Sequence, residues 1–238
     1  MSAALEKSVQ DYMQQVLRRN RQINLVSRQD PRGTLAGQVR QCREAWSALA
    51  AEQDFQPAER LWYFDLGSGG GLPGFVWHAL AVEAGLNPAT WLVEPREKRA
   101  WFLNRLNGVL KDSPVTVLSS RWGQIDDFGS HGGKSGPARV VVSLKALHLT
   151  DSEVLAGLVP ALAGAPEAKI PARVVIARFY PPEQVWTAVL AEDLEIPAKG
   201  RTFTHGGRSF GGRGGAILAP ESPAGASLVI SEYSTPPD

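Results

Sequence analysis

Between Phe64 and Gly74 the chain reads Phe-Asp-Leu-Gly-Ser-Gly-Gly-Gly-Leu-Pro-Gly, and no other stretch limits the possible folds so severely. The apolar run Leu61-Trp62-Tyr63-Phe64 leads into it, and an apolar, helix-compatible segment follows. The pattern predicts a strand, a tight glycine loop and a helix start. Glycines let the backbone take positive φ and approach a ligand with no Cβ in the way. The amides opening a helix offer a partly positive surface to a carboxylate or phosphate. Pro73 suits a first helical turn, where its missing N–H costs nothing. The spacing selects the ligand. A dinucleotide fingerprint, G-x-G-x-x-G, needs a glycine at position 72, where Leu72 stands. What is present is Asp-x-Gly-x-Gly-x-Gly, with Asp65 two residues before the first glycine.

The 238 residues suit one α/β domain with a short appended segment, and 43% hydrophobic content supplies a core. No apolar run has membrane-spanning length and no signal-peptide pattern opens the chain, so a soluble, cytoplasmic protein is expected. A single cysteine, Cys42, excludes an internal disulfide, and the four histidines lack metal-ligand spacing, so no metal is expected. Net charge is only +1, yet the cations are unevenly spread. Met1 to Trp46 is rich in arginine. Between Glu195 and Glu221, Lys199, Arg201, Arg208 and Arg213 occur without an acid. Such segments fit either a polyanion-facing surface or ordinary solvated charge.

Leu5, Val9, Tyr12, Met13, Val16 and Leu17 recur at spacings of three and four, predicting an amphipathic helix over 4–20. Asn20 to Pro31 breaks that pattern, Asp30-Pro31 signals a turn or helix start, and a weaker helix is expected over 35–52. Residues 1–58 therefore read as a helical extension, a cap on a domain spanning 59–220. In that domain, strands at 61–66, 90–94, 115–118, 139–144 and 173–179 alternate with helices near 73–84, 96–111, 151–163 and 183–193. A polar Gly/Ser loop is expected at 129–136. Such alternation means a mostly parallel sheet covered on both faces. Thr202 to Leu218 reads as a closing hairpin about a glycine-rich turn, and residues 221–238, rich in Pro and Ser, as a loosely ordered tail.

In an open α/β sheet the ligand lies outside the carboxyl ends of the strands, where strand order reverses. The glycine loop falls there. So does Glu94, about 20 residues on, where an acid hydrogen-bonds ribose hydroxyls. Trp122, in Ser119-Ser120-Arg121-Trp122-Gly123 past the third strand, is placed either to stack on a purine or to pack in the core. The fourth strand ends Val142-Ser143-Leu144-Lys145, without the Asp/Asn-Pro-Pro-Tyr/Phe of amino-group methylases. Cys42 lies far from every strand end, against a covalent cysteine mechanism. Were the reaction a methyl transfer, attack by a nucleophile with its own lone pair, such as a ring nitrogen, would remain, and it needs in-line orientation more than a general base. Lys98 and Arg99 open a helix against its dipole, which suggests either a phosphate-bearing substrate or pairing with nearby acids. The Gly-, Arg- and Phe-containing run 205–215 fits a nucleic-acid backbone or a flexible loop.

These segments resemble those of a known family. The Asp65 loop resembles motif I of the class I methyltransferases, which bind S-adenosylmethionine. Asp65 to Gly74 is similar to the Asp-Val-Gly-Thr-Gly-x-Gly-Leu-Pro-Gly of the RNA small-subunit methyltransferase G family, also called glucose-inhibited division protein B. Glu94 to Leu103 is similar to its Asp-Ser-x-x-Lys-Arg-x-x-Phe-Leu segment, and Asn24 to Pro31 to its Asn-Leu-Thr-x-x-Arg-Asp-Pro. Ser120-Arg121 and Val142-Ser143 fall where the family has Ser/Ala-Arg and Ile/Val-Ser. The likeness runs from about residue 20 to 180.

The resemblance implies a class I methyltransferase fold with an antiparallel last strand, and transfer of methyl from S-adenosylmethionine to N7 of a guanine in 16S rRNA. It implies that Asp65, Gly67, Ser68, Gly69, Gly71, Leu72, Glu94, Trp122 and Gly123 bind the cofactor. Asn24, Arg28, Lys98, Arg99 and Lys145 would face the rRNA of the small ribosomal subunit, no catalytic acid or base is assigned, and a monomer is favoured. The chain also departs from the family. Arg40 to Ala45 replaces His-Ile-Leu-Asp-Ser, Trp122-Gly123 replaces a pair ending in Glu, Leu144 stands for an arginine beside Lys145, and Ile176-Ala177-Arg178 replaces Leu-Lys-Gly. A different substrate, whether small molecule or protein, and a paralogue that binds cofactor without turnover are the alternatives.

Overall fold

The computed structural model describes residues 2–110, 113–125, 128, 139–163, 173–180, 202–205, 208–218 and 227–234. Two helices come first, α1 (Ala3–Ile23) and α2 (Pro31–Gln53). Ser2 caps α1 by accepting from the Leu5 amide, and Asp30 caps α2 by accepting from Gly33. The Asp30-Pro31 signal is therefore a helix start, and α2 begins earlier than its weak periodicity predicts. The apolar stripe of α1 faces inward: Leu5, Val9, Tyr12 and Val16 are buried in one cluster with α2, α3 and the sheet.

After α2 the chain alternates through β1 (Arg60–Leu66), α3 (Gly74–Glu83), β2 (Asn87–Val93), α4 (Glu97–Leu106) and β3 (Thr116–Leu118). Then come β4 (Arg139–Lys145), α5 (Asp151–Ala163) and β5 (Arg173–Tyr180). Helix α4 stops short of the predicted end. Past it, the Asn107 amide bonds both the carbonyl and the amide of Val115, at 2.9 Å each, and turns the chain into β3. The helix predicted at 183–193 and the loop predicted at 129–136 lie outside the described residues.

The eight strands of the described residues form one sheet in the order β3-β2-β1-β4-β5-β8-β7-β6, where β6 is Thr202–His205, β7 Arg208–Leu218 and β8 Ser227–Ser234. The pairs joining β1 through β5 are parallel, and those involving β6, β7 and β8 are antiparallel. Side chains alternate between faces. Leu61 and Tyr63 join the cluster under α1, α2 and α3, whereas Trp62, Phe64 and Leu66 join the one under α5.

Two expectations for the end of the chain are corrected. Residues 227–234 are not a loose tail but β8, inserted between β5 and β7, with Leu228, Val229, Ile230 and Tyr233 buried. A short apolar run after Pro- and Ser-rich sequence gives little periodicity, and its strand state comes from pairing on both sides. The Gly/Arg run is mainly strand as well: β7 extends from Arg208, with a register shift between Gly212 and Gly214.

Strand order reverses between β1 and β4, and the glycine loop leaves β1 there. Asp65 holds the loop from beneath. It is buried, its Oδ2 accepts from the Gly74 amide at 3.2 Å, and its Oδ1 accepts from Ser143 Oγ at 2.6 Å. Tyr63 Oη lies 2.9 Å from the same Ser143 hydroxyl. The carboxylate thereby satisfies the first amide of α3 and ties β1 to β4. Gly74 is needed because an added Cβ would lie 2.6 Å from Asp65 Oδ2. Burial pushes the Asp65 carboxyl up to about 6, opposed by the bonds from Ser143, Ser68 and Gly74.

Two outcomes follow. Ile230→Ala removes a fully buried side chain from β8, and denaturant unfolding should show a loss of about 2–5 kcal/mol. For Asp65, the folded state binds the proton more tightly than the unfolded state, so its contribution falls as pH rises from about 4 to 6. The stability difference between wild type and Asp65→Asn, measured by unfolding at several pH values, should shift toward the variant by up to about 1.4 kcal/mol per pH unit across that window.

Candidate active site

A cavity of about 750 Å³ opens above the carboxyl ends of β1, β2 and β4, within the size range of small-molecule sites. Its floor is the glycine loop, with Gly67, Ser68, Gly69, Gly70 and Leu72 in the lining. One side is Glu94, Pro95, Arg96 and Arg99, at the turn from β2 into α4. The opposite side is Lys145, Ala146, Leu147 and Leu149, following β4. Ser120, Arg121 and Trp122 close the end past β3.

Gly67 and Gly69 have φ of 71° and 56°, a backbone that other residues adopt only under strain. The loop amides are largely spoken for. Gly67 and Ser68 donate to the Val93 carbonyl, Gly69 donates to Glu94 Oε2 at 2.9 Å, and Gly71 donates to the Ser68 carbonyl. Gly74 donates to Asp65. The bare anion cradle that a helix start suggests is thus filled by the protein's own acceptors. This leaves few of these amides for a pyrophosphate or another anion.

Glu94 is buried at the cavity wall, with Oε1 accepting from the Arg96 amide at 2.9 Å and Oε2 from Gly69. Its carboxylate is held in place by backbone and has room for further bonds. Trp122 is half-buried and packs edge-on against Phe64 and Phe128, at centroid distances of 5.6 and 6.2 Å. Its Nε1 donates to the Val154 carbonyl of α5, and Gly157 leaves the space its ring occupies. Trp122 thus packs in the core and also stands in the cavity lining.

The expected site residues do not all meet there. Gly67, Ser68, Gly69, Leu72, Glu94, Trp122, Arg99 and Lys145 line the cavity. Asp65 lies beneath the loop, and Gly71 faces Leu103, Tyr12 and Leu106, so both shape the floor from behind. Gly123 turns the chain at φ 81° beside the lining. Asn24 contributes its carbonyl, which accepts from Arg99 Nη2 at 3.1 Å. Arg28 reaches the Arg21 carbonyl, and Lys98 stands on the exposed side of α4.

From the N-terminal segment, sequence reasoning named Asn24 and Arg28 but missed the residues that line the cavity. Tyr12, Leu25, Val26 and Gln38 all line the cavity, and the Tyr12 hydroxyl donates to the Gly70 carbonyl at 3.0 Å. An amphipathic stripe reveals burial, not what it is buried against. The exchange of Leu-Lys-Gly for Ile176-Ala177-Arg178 also acquires a physical account. Arg178 pairs with Asp151 at 2.5 Å and donates to the Leu149 carbonyl at 2.9 Å, and Tyr233 of β8 donates to the same Asp151. Together they hold the wall at Leu149.

Among the described residues, no cluster of three or more His, Cys, Asp or Glu is placed to hold a metal, and no helix is long and apolar enough to cross a membrane. The fold is similar to that of a mutant of MtNAS, with TM-score 0.52, 16% identity, and 98% of this chain and 76% of that one covered. A mutant of MtNAS solved in complex with S-adenosylmethionine matches with TM-score 0.50 and 16% identity over 98% of this chain and 78% of that one. None of the curated proteins matches in sequence. The model of the rRNA small subunit methyltransferase G family, also called GidB, matches residues 5–132, more than half of the chain and including most of the cavity. The chain therefore belongs to the rRNA small subunit methyltransferase G family, S-adenosylmethionine-dependent methyltransferases.

Proposed function

We propose that the protein methylates N7 of a guanine in 16S rRNA. The observation that carries this reading is a cavity whose floor leaves few amides for an anion and whose rim is cationic. Arg96, Arg99, Arg121 and Lys145 stand in its lining, with Glu94 as the only acid among the described residues there. S-Adenosylmethionine supplies an electrophilic methyl group on a sulfonium sulfur. Gly67 to Gly71 would hold its methionine end, Glu94 the ribose hydroxyls, and Trp122 with the adjoining turn at Gly123 the adenine.

Guanine N7 carries an in-plane lone pair, so no proton has to leave before it attacks. The N7–methyl bond forms as the sulfur–methyl bond breaks, and the sulfur keeps the electron pair. The protein's part is then alignment. Arg99 and Lys145, at opposite walls, would fix the target nucleotide through phosphate or base acceptors, and Asn24 holds Arg99 through its carbonyl. Arg28 and Lys98 would contact RNA farther out. The absence of an acid/base pair from the assigned roles fits this chemistry.

Calorimetric titration with S-adenosylmethionine should show binding by wild type, none by Gly69→Arg, and affinity reduced by roughly tenfold or more in Glu94→Gln, which loses a charged acceptor. Unchanged binding in Gly69→Arg would remove the loop from the cofactor site. Radiolabel transfer to 30S subunits and to naked 16S rRNA, with mass spectrometry of the nucleosides, should yield 7-methylguanosine. Another methylated nucleoside would refute the N7 assignment. Transfer only to small molecules or proteins would refute an rRNA substrate, and cofactor binding without any transfer would mark a non-catalytic paralogue.

A further inference from the structure

Among the described residues, Trp101 is the most exposed large hydrophobic side chain, at 47%. Its surroundings are specific. The Arg105 guanidinium lies 5.1 Å from the ring centroid and that of Arg19 lies 5.5 Å away, so α4 and α1 each bring a cation to the ring. Arg19 donates to Gln22, and among the described residues neither arginine has a carboxylate partner.

Lys98, Trp101 and Arg105 follow at spacings of three and four and form one exposed row along α4. That row starts beside Arg96 and Arg99 of the cavity wall, and Trp101 lies roughly 7 Å farther along the helix axis than Arg96. We infer that Trp101, flanked by Arg19 and Arg105 and still half-exposed, is a platform on which an unpaired base of the RNA substrate stacks, outside the cofactor cavity. Base faces stack on an aromatic ring, and an arginine lying over a ring keeps its N–H groups free for phosphate. Charge favours this occupant over a second copy of the chain, which would bring the same arginines against each other. The inference rests on the rRNA reading above and concerns how that substrate is gripped.

The test is fluorescence anisotropy with a labelled single-stranded oligoribonucleotide, together with KM for 16S rRNA. Trp101→Ala should bind the oligonucleotide roughly tenfold more weakly and raise the rRNA KM, while Trp101→Tyr, which keeps a stacking ring, should retain most of the affinity. Arg105→Gln should weaken binding and lower the slope of log affinity against log salt by about 0.7, the value for one phosphate contact on a single strand. Affinity for S-adenosylmethionine should stay unchanged in all three, which reports an intact fold. Wild-type RNA affinity in Trp101→Ala would overturn the platform, as would equal loss in the Tyr and Ala variants. So would a wild-type dimer in sedimentation that Trp101→Ala dissolves, or a preference for an acidic peptide over RNA. Should wild type fail to methylate rRNA, the functional reading falls, while the oligonucleotide titration still decides the platform.

Discussion

The buried carboxylate of Asp65 is the contact on which the site depends. It accepts from the first amide of α3 and from Ser143 of β4, joining the two sides of the point where strand order reverses. A charged group is costly to bury, and burial pushes the Asp65 carboxyl up to about 6 despite the bonds it accepts. In return the glycine loop is pinned from below, leaving its upper surface free to form a cavity floor. The acid that marks the motif in sequence thus acts on the loop's shape.

Around that floor, walls come from distant parts of the chain. Tyr12 of α1 bonds the loop at Gly70, and Leu25 and Val26 continue from the same helix into the lining. Across the cavity, Leu149 is held by Arg178 of β5, whose partner Asp151 also accepts from Tyr233 of β8. The first helix lines the site and β8 supports its wall through Asp151, so neither is a passive extension. Trp122 adds a third anchor, locked against Phe64 and accommodated by Gly157.

Charge is arranged on the same scaffold. Internal acceptors take up the loop amides, which leaves the positive potential to side chains at the rim and along α4. That distribution separates two tasks. On the proposed reading, a phosphate-free cofactor would sit below and the RNA would meet arginines and lysines above. The near-neutral total charge conceals this separation, because the cations are concentrated on a few elements.

The sequence by itself determined the order of strands and helices through β5, the glycine loop with its acid, and the family. Each is a local signal: apolar periodicity, the φ demands of Gly67 and Gly69, and residues at short fixed spacing. It also pointed to Glu94, since an acid at that distance from a glycine loop meets it across a parallel pair. Tertiary structure alone decided what the periodicity cannot carry. It turned residues 227–234 into an interior strand, because a short segment takes its state from the partners on either side. It separated Arg99, in the lining, from its neighbour Lys98, outside it, because a helix points neighbouring residues in different directions. And it brought Tyr12 to a loop that lies far along the chain, a contact set by how α1 packs and written in no spacing.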